Sequence, residues 1–107
     1  MRMKTVSETV ELLARPAART FLDAKAVGGV LQLLAFAARQ QAIELRGRMR
    51  QLHEQEAAEQ WDRIEGILNE TVVALGPGVR IGDILDQAAQ RLRNLPPFTG
   101  QRPRSGA

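Results

Sequence analysis

The sequence predicts an all-α fold of four to five helices, with one long central helix or helical hairpin and no β-sheet. Three observations predict it. Apolar residues recur three and four positions apart along most of the chain, the spacing of one helical face. Helix-breaking residues gather at a few points, Pro16, Gly28-Gly29, Gly76-Pro77-Gly78 and Pro96-Pro97, and divide the chain between them. Residues 30–75 form one uninterrupted periodic run without proline. A chain of 107 residues supports one domain with a modest core. That domain is predicted over residues 1–97, and residues 98–107, rich in Pro, Gly, Ser and Arg, read as a disordered tail. The only rings are Phe21, Phe36, Trp61 and Phe98, so the core must be built mainly from Leu, Ile, Val and Ala.

Thr5-Val6-Ser7-Glu8 has the pattern of a capping box and predicts the first helix start. Val6, Val10, Leu13 and Ala17 then mark one face. Pro16 lacks a backbone donor and crowds the preceding turn, so this helix should end or kink near Arg15. A short helix over 17–27 is expected next, closed by a turn at Gly28-Gly29, because two glycines inside a helix cost about 2 kcal/mol.

The long run carries two apolar stripes. Leu31, Leu34, Ala38, Ala42, Leu45, Met49 and Leu52 form the first, and Ala57, Trp61, Ile64, Leu68, Val72 and Leu75 the second. At about 100° per residue their centres differ by roughly 120°. Coiled-coil underwinding shifts a helix only about 20° per heptad and cannot absorb that jump. Either the chain turns near His53 into a hairpin, or one helix of about 46 residues, roughly 69 Å long, offers different faces to different neighbours. Charge supports the hairpin: Arg46, Arg48 and Arg50 would close one helix and Glu54, Glu56 and Glu59 open the next, each favourable to the helix dipole. Local propensity supports the continuous helix, because residues 53–60 hold strong helix formers and no Gly, Pro, Asn or Ser. The balance tips to the continuous helix. After Gly76-Pro77-Gly78 a last helix starts at Gly82-Asp83, with Ile81, Ile84, Leu85, Ala88, Leu92 and Leu95 on one side, and stops at Pro96-Pro97.

Composition narrows the function classes. Cysteine is absent, which excludes disulfides and thiolate metal sites. The net charge of +3 is mild and alternates in blocks, unlike the concentrated basic field of a dedicated nucleic-acid binder. Glu8, Glu11 and Arg15 interrupt any signal-peptide core, and the longest uncharged stretch, 26–38, falls short of the roughly 20 residues a membrane span needs. A cytoplasmic protein without membrane contact is the expectation. Abundant Ala and a preference for Arg over Lys suit a high-GC bacterium or its phage.

No residue pattern supports catalysis, so no enzyme, cofactor or metal is expected. His53 is the only histidine; Glu56 follows three residues on, the reverse of the Glu-x-x-His order of carboxylate-bridged metal bundles. The only serines are Ser7, which reads as a cap, and Ser105, in the tail; His53 has no nucleophile near it in sequence, and the glycines at 76–78 are not followed by the Lys-Ser or Lys-Thr of a phosphate loop.

Pairing of helices is the expected mode of action. Arg39, Arg46, Arg48 and Arg50 in the first half of the long run, against Glu54, Glu56, Glu59, Asp62, Glu65 and Glu70 in the second, suit an antiparallel homodimer about a two-fold axis near Leu52. Leu45, Met49, Leu52, Trp61, Ile64 and Leu68 would line its interface. The functional expectation is a small regulatory or adaptor protein that binds another, unidentified protein, as an inhibitor, anti-activator or chaperone-like partner does. The alternative is a nucleic-acid-binding regulator using Arg39, Arg46, Arg48 and Arg50.

Overall fold

The computed structural model describes residues 2–19, 23–47 and 52–95. These form an all-helical fold: α1 (Met3–Ala14), α2 (Pro16–Arg19), α3 (Ala24–Gly47), α4 (Leu52–Ala74) and α5 (Ile81–Arg93), with no strand among the described residues. The predicted tail, 98–107, lies outside them.

α1 begins earlier than the capping pattern indicates. Arg2 is its N-cap without a side-chain hydrogen bond, and Thr5 already lies inside the helix, where its carbonyl accepts from the Thr9 hydroxyl at 2.7 Å. The cause is burial: Met3 packs against the core in phase with Val6, Val10 and Leu13, so the apolar face extends one turn before Thr5. The predicted break at Pro16 is present. Arg15 adopts the extended conformation (φ −70°, ψ 143°) that a following proline favours, and Pro16 opens the single turn of α2.

The glycine pair does not end a helix. α3 starts at Ala24, where the Asp23 side chain accepts the Ala26 N–H at 2.8 Å as an N-cap, and runs through Gly28-Gly29 to Gly47. Val27 before the glycines and Leu31 after them are both fully buried. That continuous packing outweighs the propensity cost. A Cβ at Gly28 would meet only the tip of Leu75, at 3.9 Å.

Residues 30–75 fold as the hairpin, against the balance of local propensity. α3 and α4 lie against each other as the most extensive helix pair of the molecule. Arg46 near the end of α3 reaches Asp62 in the first half of α4, and Gly28 near the start of α3 lies beside Leu75, so the two run antiparallel. The 120° offset between the two stripes is accommodated because the break between the helices frees their phases, and each turns its own stripe toward the other. Of the first stripe, Leu31, Ala38 and Ala42 are buried and Leu34 and Leu45 half-buried; all six residues of the second are buried or half-buried. The connection, 48–51, lies outside the described residues.

A turn at 76–79 follows, in which Gly78 takes φ +82°, a left-handed conformation that glycine adopts without steric cost. α5 then returns across α1 and α4, burying Leu85, Ala88, Ala89 and Leu92 against Val6, Val10 and Leu13. Arg93 pairs with Glu11 of α1, and Arg91 with Glu70 of α4 at 2.5 Å. The buried polar groups are satisfied: the Thr71 hydroxyl donates to the Ile67 carbonyl at 2.7 Å, and Gln60 accepts from Arg63 at 3.1 Å.

The molecule measures 48 × 31 × 18 Å. Its thinnest dimension corresponds to about two helix layers, packed helices lying about 8–10 Å apart. A slab this thin must leave one face of each outer helix uncovered, and what those faces carry becomes the functional question.

Candidate interaction surface

The helix with the most to say is α3. Its inner face, Val27, Leu31, Ala35, Ala38 and Ala42, is buried. On a helical wheel, Leu33, Phe36, Gln40 and Ile43 centre roughly 160° from that face. Leu33 is 71% exposed, Phe36 62% and Ile43 50%. α3 is therefore apolar on two opposite sides, and only one is covered. A helix apolar on both sides is normally buried on both.

Among the described residues, the other exposed large apolar side chains do not form such a row. Leu12 lies on α1, Val73 on the outer side of α4 and Val79 in the loop before α5. Isolated apolar side chains of this kind are common on protein surfaces. The three on α3 together expose on the order of 400 Å², the size of the patches that are frequently functional on monomers. At one end the row adjoins a shallow groove of about 440 Å³ between the start of α3 and the end of α4, bordered by Gly29, Gln32, Val72 and Leu75.

Charge on α3 is arranged about the outer row. Lys25, Gln32, Arg39 and Arg46 recur at seven residues along one flank, and Glu44 lies on the other. All five are exposed. Arg46 turns toward α4, with its guanidinium hydrogen-bonded to Asp62, one contact being 3.3 Å. The Asp62 hydrogen bond and negative charge, with a smaller contribution from Glu59, raise the Arg46 pKa above its ordinary value against a small opposing effect of desolvation.

The residues singled out in the sequence fall into separate places. Trp61, Ile64 and Leu68 are buried within the hairpin, between 0% and 5% exposed, and Leu45 is half-buried beside them. In this folded form they are core, not an open seam. Met49 and the side chain of Leu52 lie outside the described residues, as do Arg48, Arg50 and the His53 side chain. An antiparallel pair about Leu52 requires residues 30–75 to be one continuous helix. The hairpin does not meet that requirement, and sets Arg46 against Asp62 within one molecule. Of the basic cluster, Arg39 is exposed beside the outer row and Arg46 is matched by Asp62.

The sequence does not single out Leu33, Phe36 and Ile43: their spacing of three and seven is helical, but the stripe through Leu31, Ala38 and Ala42 is longer and dominates the periodicity of the segment.

A second concavity, of about 270 Å³, lies where α1 and α5 meet α4, between Met3, Ser7, Ile64, Leu92 and Leu95 with Lys4 and Arg93 at its rim. It is below the usual range of small-molecule sites and has no convergent set of titratable groups. Among the described residues no group of three or more His, Cys, Asp or Glu could hold a metal ion, and no helix is long and apolar enough to cross a membrane. No family model, curated protein or solved structure matches the chain.

Proposed function

We propose that this protein is a small helical adaptor or regulator that acts by binding another protein chain through the outer face of α3. The observation that carries this reading is the second apolar row, Leu33, Phe36 and Ile43, on a helix whose opposite face is already packed. Apolar area of this size lowers solubility unless something covers it. Helical spacing of the row suits an amphipathic helix as the covering element. Charged residues on both flanks would set orientation and partner choice more than affinity.

The test compares the wild-type chain with a Leu33→Glu/Phe36→Glu variant in affinity capture from a bacterial lysate, with bound proteins identified by mass spectrometry. Both side chains are more than half exposed, so the variant should keep its helicity by circular dichroism. Proteins held by the wild type and lost by the variant support the reading. An identical set in both excludes this face. Capture of nucleic acid that is released steeply with salt would instead move the function to the Arg39 and Arg46 surface.

A further inference from the structure

We infer that the outer face of α3 is a short coiled-coil seam whose occupant is α3 of a second copy of this chain, in parallel orientation. This rests on the proposed role of that face in protein binding and names its partner. Gly29, Leu33, Phe36, Gln40, Ile43 and Gly47 follow one another at four, three, four, three and four residues. That is a mean period of about 3.6 over the run, with the alternation of a heptad seam, in which Leu33, Gln40 and Gly47 take one core position and Gly29, Phe36 and Ile43 the other. Ala26 extends it by one further step. Every one of these seven is exposed. At Gly29 and Gly47 an added Cβ would meet nothing within 4 Å, so no neighbour among the described residues demands a glycine at either position.

Charge decides the orientation. In this register Lys25, Gln32, Arg39 and Arg46 occupy one flank of the seam and Glu44 the other. An antiparallel pair places like flanks together, which would set basic residues against basic residues. A parallel pair places opposite flanks together, joining residues five apart in sequence. Arg39 of each copy then faces Glu44 of the other, twice about the two-fold axis. Gln40 meets its own counterpart in the seam and can hydrogen-bond to it, which fixes register as a lone polar core residue does. α3 has room for this, because its main neighbour, α4, lies on the opposite side. A seam of about three heptads with glycine near both ends makes a weak, reversible dimer.

The absence of cysteine makes the test direct. Mass by light scattering is measured from 5 to 500 µM, and single-cysteine variants Ala26→Cys and Gln40→Cys are each oxidised in the dimer range. A concentration-dependent dimer is expected, with both variants giving disulfide-linked dimers, since in a parallel pair every seam residue meets itself. Phe36→Glu should abolish the dimer with helicity intact. Arg39→Glu should weaken it about tenfold, and Arg39→Glu/Glu44→Arg should restore it. A monomer at every concentration overturns the inference. So does cross-linking of only one cysteine variant, which indicates an antiparallel pair, or a dimer indifferent to Phe36→Glu. A monomeric chain that still loses a captured protein on Leu33→Glu/Phe36→Glu overturns self-pairing alone and leaves the proposed docking role standing.

Discussion

The two apolar faces of α3 are built from different residues. The inner face is Val27, Leu31, Ala35, Ala38 and Ala42, mostly small; the outer face displays Leu33, Phe36 and Ile43, all large. Small inner residues permit a close approach of α3 and α4, and α4 supplies the bulk with Trp61, Ile64 and Leu68. Of the large side chains of α3, Leu31, Leu34 and Leu45 pack with the core, whereas Leu33, Phe36 and Ile43 stand outside it. The packed face of α3 and the face proposed for recognition lie on opposite sides of one helix, so each should be alterable with little consequence for the other.

The largest effect should come from the residue that fills the space the alanines leave. Trp61 is 5% exposed within the hairpin. Trp61→Ala should lower unfolding free energy by about 3–5 kcal/mol, measured by urea denaturation, because the lost burial is compounded by a cavity. For a domain of this size that approaches the whole margin of stability. A loss below about 1 kcal/mol would mean that Trp61 is not packed between the helices, and the division between the faces would fail with it.

Next comes the inner face itself. Ala38 is fully buried at the middle of α3. Ala38→Leu should destabilise by about 1–3 kcal/mol, since the added side chain has no space and must push α4 away. The same leucine is tolerated at position 33, two helical faces removed, where it is the natural residue. Equal tolerance of leucine at both positions, judged by thermal midpoint, would show that α3 and α4 pack more loosely than the buried alanines imply.

The outer face should behave in the opposite way. Phe36→Ser, measured on dilute protein, should change stability by no more than about 0.5 kcal/mol, the range of ordinary surface substitutions. A larger loss would assign Phe36 to the folding core and remove the main support for a docking role.

Much of this division was legible in the sequence, but not all of it. The all-helical class, the break at Pro16 and the end of the long run at Gly76-Pro77-Gly78 followed from local chemistry, because proline and glycine act on the backbone itself. Both stripes of the hairpin were legible as well, since periodicity reports burial. Two features were not. The Gly28-Gly29 pair read as a turn because propensity is local, whereas Val27 and Leu31 keep the helix intact through tertiary burial. The choice between hairpin and continuous helix depends on the free-energy gain of α3–α4 packing, which no propensity scale contains. The candidate seam suffered most: Trp61, Ile64 and Leu68 look alike in sequence whether the helix that covers them belongs to the same chain or to another.

The smallest effect should be at Arg46, the point where the charge reversal of the long run closes on itself. Arg46 and Asp62 are each a little under half exposed, and their pairing joins the end of α3 to α4. Exposed pairs contribute little, because water already solvates both charges and two flexible side chains must be held in place. At physiological salt the screening length is about 8 Å, and the attraction is further reduced. Arg46→Gln should therefore leave the thermal midpoint within experimental error in 0.15 M salt, and lower it measurably only at low ionic strength. The direction of that salt dependence is the informative part. If the midpoint fell by many degrees at 0.15 M, the alternating charge blocks would be holding the hairpin shut, and the apolar inner face of α3 would be weaker than its burial indicates. If nothing changed at any salt concentration, the pair would serve only to orient Arg46 away from the outer row. In the proposed parallel pair Arg39, five residues before Glu44, is the arginine set to face it whichever result is obtained.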